Sequence, residues 1–384
     1  MRVLMEQTDF LQDERLQWLR FVLHPTSPRP EIRDWARLYQ FARKQALLGL
    51  CSPTQFSGEM PPKEVLLKWY IDESMIRARN AVVNRQSVEL TARLREGGLA
   101  CCILKGQGNG LLYPEPALRM SGDIDVWADA DRKTLREYVR KQFPDAEERY
   151  KHIRFPLFED TPVDMHDTPL KLYHPVHNWR LQRWLKKNKG AQMANTVRLA
   201  DTDVDIAVPT AAFNAVYQMG HILLHVEGEG IGLRQLVDYF YVLKALEGAG
   251  AEQLEAIRRT WRRLGLLRLA RAVMWVEQEM LGLEEKYLLV EPDERLGLLL
   301  ADDILEGGNF GQHGGVAHSG RHGSGARRIA HFGHLTRMAA CFPGEAFFRI
   351  CWKSIMFIKK RIVIFRYGKQ AYLSVSRTYE RGRT

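Results

Sequence analysis

Residues 119–129 read RMSGDIDVWAD, and they set two aspartates, Asp123 and Asp125, one residue apart inside an apolar run. Strand alternation places residues i and i+2 on the same face. Both carboxylates therefore share one side, while Ile124 and Val126 point to the other. A buried charge is costly unless something positive or hydrogen-bonding meets it. The stretch is thus either a turn that caps the entry to a strand or a strand that presents a paired acidic grip.

The surroundings show where that strand falls in the chain. EIRDWARLYQFARKQALLGL has apolar residues at helical spacing, from Ile32 to Leu47. Pro53, Gly58, Pro61 and Pro62 interrupt it. A long helix is predicted from about Lys63 to Glu96, stopped by Gly97-Gly98. The texture then changes. LACCILKG reads as a short buried strand, DIDVWAD as a second, and DRKTLREYVRKQF as an amphipathic helix. HIRFPLF and VDMHD form a predicted hairpin, and so do the halves of TVRLADTDVDIAV. From Pro209 helices return. The expected fold class is α+β, a small mixed β-sheet core flanked by helical regions at both ends. The expected segments are an N-terminal helical region over 1–97, the core over 98–208, and a helical domain over 209–345. The last holds a Gly/His-rich loop at 307–325, and a basic tail fills 346–384.

Length and composition exclude several classes. With 384 residues and 45% hydrophobic content, the chain can bury a sizeable core. The first twenty residues lack the unbroken apolar stretch of a signal peptide. No run is long and uncharged enough to predict a membrane span. Five scattered cysteines with no CxxC suit a reduced, cytoplasmic protein rather than a disulfide framework or zinc site. The net charge of +10 is uneven: from Arg349 onward, ten Lys or Arg face one acid, Glu380. Such a tail can attract an anionic partner, and its plainer reading is a solvated, partly disordered end.

Three pieces then combine. The strand ILKG ends at Lys105 and Gly106 and opens KGQGNG; next come Asp123 and Asp125; some forty residues on, VDMH offers Asp164. Three aspartates converging from neighbouring strands make a hard-oxygen site of the sort magnesium takes together with substrate phosphates. Two ions so held can activate a hydroxyl and stabilise departing pyrophosphate. Gly106 and Gly108 would let backbone N–H groups approach a triphosphate, and Lys105 or Arg119 could neutralise it.

On these residues the chain resembles the DNA polymerase β-type nucleotidyltransferase superfamily. More narrowly, it resembles a bacterial group of uncharacterised nucleotidyltransferases. The resemblance is carried by Leu104-Lys105-Gly106, Tyr113-Pro114, Arg119, Gly122-Asp123-Ile124-Asp125 and Asp164-Met165-His166, all in that order. His221 or His225, then Arg234 and Asp238, match its helical half, and Gly308–Gly311 reads as its GNFG segment. The resemblance spans roughly residues 32–345. It implies that Asp123 and Asp125 bind the metal ions and that Asp164 completes the site and helps deprotonate the acceptor. The expected nucleotide contacts are Lys105, Gly106, Gly108 and Arg119, with His166, in phase with Asp164, able to contact substrate. One departure stands out: the serine usual after the first glycine is Gln107 here.

Each residue also has an ordinary reading. Asp123 can cap a turn, Asp164 can be an exposed strand residue, and His166 can be a satisfied core histidine. Lys105 can be a solvated strand end, and Arg119 can pair with a nearby acid. Arg234 and Asp238, four apart on a helix, make a default intrahelical pair. His174 and His177 have ligand spacing, but a proline lies between them and no third ligand is evident. The expected function is a Mg²⁺-dependent transfer of a nucleoside monophosphate from an NTP to a hydroxyl acceptor, a small molecule or protein in preference to RNA. The alternative is an inactive nucleotide-binding module of the same fold.

Overall fold

The computed structural model describes residues 12–149, 151–228, 230–307 and 333–380. In chain order the main elements are α1 (Glu14–Leu23), α2 (Trp35–Lys44), α3 (Lys63–Glu96), β1 (Cys101–Leu104), β2 (Ile124–Ala128), α4 (Arg132–Gln142), β3 (Ile153–Arg154), β4 (Val163–His166), α5 (Pro175–Ala194), β5 (Thr196–Arg198), β6 (Asp205–Ala207), α6 (Ala211–Glu227), α7 (Leu233–Lys244), α8 (Ala251–Arg263), α9 (Leu267–Trp275), α10 (Glu294–Gly307) and α11 (Pro343–Glu380). The class is α+β, as expected.

Local chemistry explains many of the boundaries. Asp13, Asp34 and Asp131 each accept a backbone N–H from the first turn of the helix that follows. They thereby satisfy donors a helix start leaves open. The long helix α3 ends where the sequence places the stop. Gly98 takes a left-handed φ of 74°, and the Leu99 N–H closes back on the Leu94 carbonyl at 2.8 Å. That is the wrap a helix-terminating glycine permits. Both predicted hairpins form, β3 with β4 and β5 with β6, each antiparallel.

The chain divides into two compact units, and neither is a single stretch of sequence. The first comprises Met1–Asn80, Asn109–Met120 and Asn214–Pro343; the second comprises Ala81–Gly108, Ser121–Phe213 and Gly344–Thr384. The first is helical, with Trp18, Trp69, Trp261, Tyr217, Tyr239 and Phe240 buried at its centre. Buried indoles need an acceptor. Trp18 donates to the Cys51 carbonyl and Trp69 to that of Leu48, both at 3.0 Å.

The second unit holds the sheet, in the order β1-β2-β4-β3. β2 runs antiparallel to β1 and parallel to β4, and β4 runs antiparallel to β3. Val126, Trp127, Phe155 and Met165 are buried in its core.

One expectation needs correction. Residues 346–380, read from composition as a partly disordered tail, continue the helix α11. The Gly/His-rich loop, including Gly308–Gly311, His313, His318 and His322, lies outside the described residues.

Candidate active site

The strand register builds the site. Leu104 lies opposite Asp125, Asp125 beside Asp164, and Asp164 opposite Arg154. One row of residues thus crosses all four strands on a single face. Asp123 precedes β2 by one residue and stands two before Asp125. As a result, carboxylate oxygens of Asp123, Asp125 and Asp164 all lie within 4.8 Å of one another. The next row continues with Trp127 beside His166, and the His152 and His166 rings are 5.7 Å apart. Strand alternation brings acids and bases to one side and sends Ile124, Val126 and Met165 to the other.

Asp125 is the hub. Its Oδ2 lies 2.6 Å from Lys105 Nζ and its Oδ1 lies 2.8 Å from His166 Nε2. His166 Nδ1 faces the Lys151 carbonyl at 3.2 Å, which fixes the ring. Burial pushes the Asp125 carboxyl up, but the Lys105 charge and the His166 hydrogen bond outweigh it, and the group is held well below the usual carboxylate range. Asp164 behaves oppositely. Burial and then the neighbouring Asp125 carboxylate push it up to about 6, against the pull of Arg154. His152 is pushed down to about 3, by burial and then by His166 and Arg154.

The donor set fits a divalent cation. Asp164 Oδ1 is buried and accepts no hydrogen bond, although Arg154 Nη1 lies 3.1 Å away out of alignment. His152 Nε2, 3.4 Å from Asp164 Oδ2, is likewise buried without a hydrogen bond. Three crowded carboxylates with an unmet oxygen make a hard-ligand set that a divalent ion would neutralise. Among the described residues no other group of three or more acids, histidines or cysteines is arranged to hold a metal.

The loop after β1 carries backbone strain. Lys105 has φ 50° and Gly106 has φ 42°, two left-handed residues in succession. For a lysine this is costly and typical of functional sites. Gly108 is constrained by packing, since a Cβ there would stand 2.9 Å from Val208 Cγ1. Gln107, in the place of the usual serine, donates to the Asn84 side chain.

Other candidates have different surroundings. Arg119 belongs to the helical unit, where it makes a buried bidentate pair with Asp238 at 2.7 and 2.6 Å. Tyr113 OH donates to the same carboxylate at 2.7 Å. Against the effect of burial, Arg234, four residues before Asp238 on the same helix, adds its charge to that of Arg119 in holding the Asp238 carboxyl below the usual range. Arg119 takes the carboxylate through both oxygens, and Arg234 donates to the Met120 carbonyl at 3.0 Å. His221 and His225 stand together on α6, rings 4.5 Å apart. His174 and His177 stack at 3.8 Å beside Glu345. They work as a structural joint between α5 and the start of α11.

Sequence reasoning missed His152 and Arg154. The signal was present. They are two apart on the strand that hairpins onto VDMH, so they share a face opposite Asp164 and His166.

No curated protein matches the chain. Among solved structures, an antigenic nucleotidyltransferase-like protein from Paracoccidioides brasiliensis is similar over 49% of this chain and 88% of its own, with 13% identity and a TM-score of 0.28. The family model described as uncharacterised nucleotidyltransferase matches residues 31–282, well over half of the sequence. The chain belongs to that uncharacterised nucleotidyltransferase family.

Proposed function

We propose that the protein is a Mg²⁺-dependent nucleotidyltransferase, moving a nucleoside monophosphate from an NTP to a hydroxyl acceptor with release of pyrophosphate. The observation that carries this reading is the clustering of Asp123, Asp125 and Asp164 oxygens within 4.8 Å. Asp123 and Asp125 would hold the ions, with Asp164 shared between metal and acceptor. Magnesium, when bound, supplies positive charge against the triphosphate and the leaving pyrophosphate.

The chain's own residues would do the rest. The acceptor oxygen attacks the α-phosphorus, the bond from that phosphorus to the bridging oxygen breaks, and pyrophosphate departs. The hydroxyl proton passes to Asp164, the carboxylate whose buried Oδ1 accepts no hydrogen bond. Lys105 would leave Asp125 to meet phosphate, a role supported by its ammonium lying 2.6 Å from Asp125 Oδ2. His166 orients Asp125. A small molecule or a protein hydroxyl is the preferred acceptor, because no RNA-recognition motif accompanies the site.

One observation favours a second reading, a nucleotide-binding module without turnover. Gln107 replaces the phosphate-touching serine and is tied to Asn84. The two are separated by incubating the protein with labelled NTPs, Mg²⁺ and cell extract. Transfer of label that disappears in D123A/D125A supports the enzyme. Nucleotide-dependent thermal stabilisation with no labelled product supports the module. Labelling equal in the variant would overturn the enzyme, and neither effect at all would overturn both.

A further inference from the structure

The second unit carries a surface unrelated to the acid cluster. On α11, Phe347, Ile355, Ile358 and Ile362 are each about half exposed, from 48% to 60%. With 3.6 residues per turn they fall within an arc of about 80° on the helix. Lys359 and Arg361 lie about 40° outside its two edges. No acid occurs from Ala346 through Ile362, against five Lys or Arg.

A second element matches it. α5 carries five Lys or Arg, among them Arg180, Arg183, Lys186 and Lys187, and no acid. Trp179 near its start is 58% exposed. The two helices meet at their N-termini. The buried Glu345 carboxylate accepts the Tyr173 and His174 N–H groups at 2.7 and 3.0 Å, and the His174 ring lies 4.5 Å from that of Phe348.

We propose that this corner of the second unit docks on an anionic lipid surface, with the isoleucine stripe of α11 at the head-group boundary and the bordering cations on lipid phosphates. An apolar stripe edged by Lys and Arg is the pattern of a helix lying in a membrane interface. The long basic side chains can extend outward while their stems stay apolar. No described helix is long and apolar enough to cross a membrane. Nucleic acid would satisfy the cations and leave three isoleucines in water. A second copy would cover the isoleucines and bring two acid-free basic faces together. A lipid leaflet with anionic head groups satisfies both features at once.

The test is co-sedimentation of the full-length protein with vesicles of phosphatidylcholine alone and with one third phosphatidylglycerol. Binding to anionic vesicles should be at least roughly tenfold stronger and should weaken as salt rises. The triple variant I355S/I358S/I362S and the pair K359E/R361E should each lose most of it. All these side chains are exposed, so thermal unfolding should show both variants folded. The proposal fails if anionic vesicles do not bind at low salt, or if the serine variant binds as well as wild type. It also fails if the stripe instead supports a dimer in light scattering that the serine variant abolishes. Tighter binding to RNA, unaffected by the serine substitutions, would likewise overturn it.

Discussion

Lys105 shows how one side chain can hold an acidic cluster together before any ligand arrives. Its ammonium, 2.6 Å from Asp125 Oδ2, stands as a counter-charge in a place a cation would use. Removing one partner of a buried pair leaves the other uncompensated. Lys105→Met should therefore destabilise the protein in chelator by about 1–3 kcal/mol. The same change should enlarge the rise in melting temperature produced by Mg²⁺ or Mn²⁺, because the ion no longer competes with an internal one. Unfolding curves with and without metal check both signs, and an unchanged metal response would count against an ion site at Asp125. At this scale the sequence was informative about chemistry and poor about partners. The order Lys105, Asp123, Asp125, Asp164 and His166 was legible because strand alternation is a local property. The pairing of Arg119 with Asp238 was not, since 119 positions separate them.

At the scale of the element, the segment after α9 presents a buried acid. Glu277 lies in a wide helical turn over Val276–Met280, fully buried, with both oxygens lacking a hydrogen bond. Burial drives its carboxyl well above the ordinary glutamate range. The folded form therefore binds a proton more tightly than the unfolded chain does. Stability from this group is full below the unfolded pKa of about 4.3 and is lost as pH rises through the folded value. Glu277→Gln should match wild type near pH 4 and exceed it at pH 8 by about 1–3 kcal/mol. Denaturant titrations at the two pH values test this, and equal stability at pH 8 would refute it. Elements were the most readable level of the sequence. The α3 span and both hairpins follow from periodicity and glycine stops. The continuation of α11 was hidden, because apolar residues such as Ile355, Ile358 and Ile362 are exposed and the charges around them resemble those of a solvated tail.

For the molecule as a whole, charge is distributed unequally. Residues 351–384 hold nine Lys or Arg against one acid, eight of the ten net positive charges. Ending the chain at Ile350 keeps the buried Glu345, Ala346 and Arg349 of α11, so the second unit retains its joint. The shortened protein should elute from a cation exchanger at much lower salt and unfold at nearly the same temperature. A large drop in melting temperature would show that the rest of α11 also serves the core. The composition of the two compact units is likewise a property of the whole. Residues 109–120 group with helices far along the chain, while 81–108 group with the sheet.

The sequence by itself determined the α+β class, the principal helices, both hairpins and the acid-bearing strands. These depend on period, caps and glycine stops, which act over a few residues. Tertiary structure alone decided the strand order that sets Asp125 beside Asp164, and the Lys105 and His166 contacts that hold Asp125 ionised. It also decided the arrival of His152 and Arg154 and the Arg119–Asp238 pair. Each of these joins residues distant in the chain, where position is set by packing and by the matching of buried charge rather than by any local pattern.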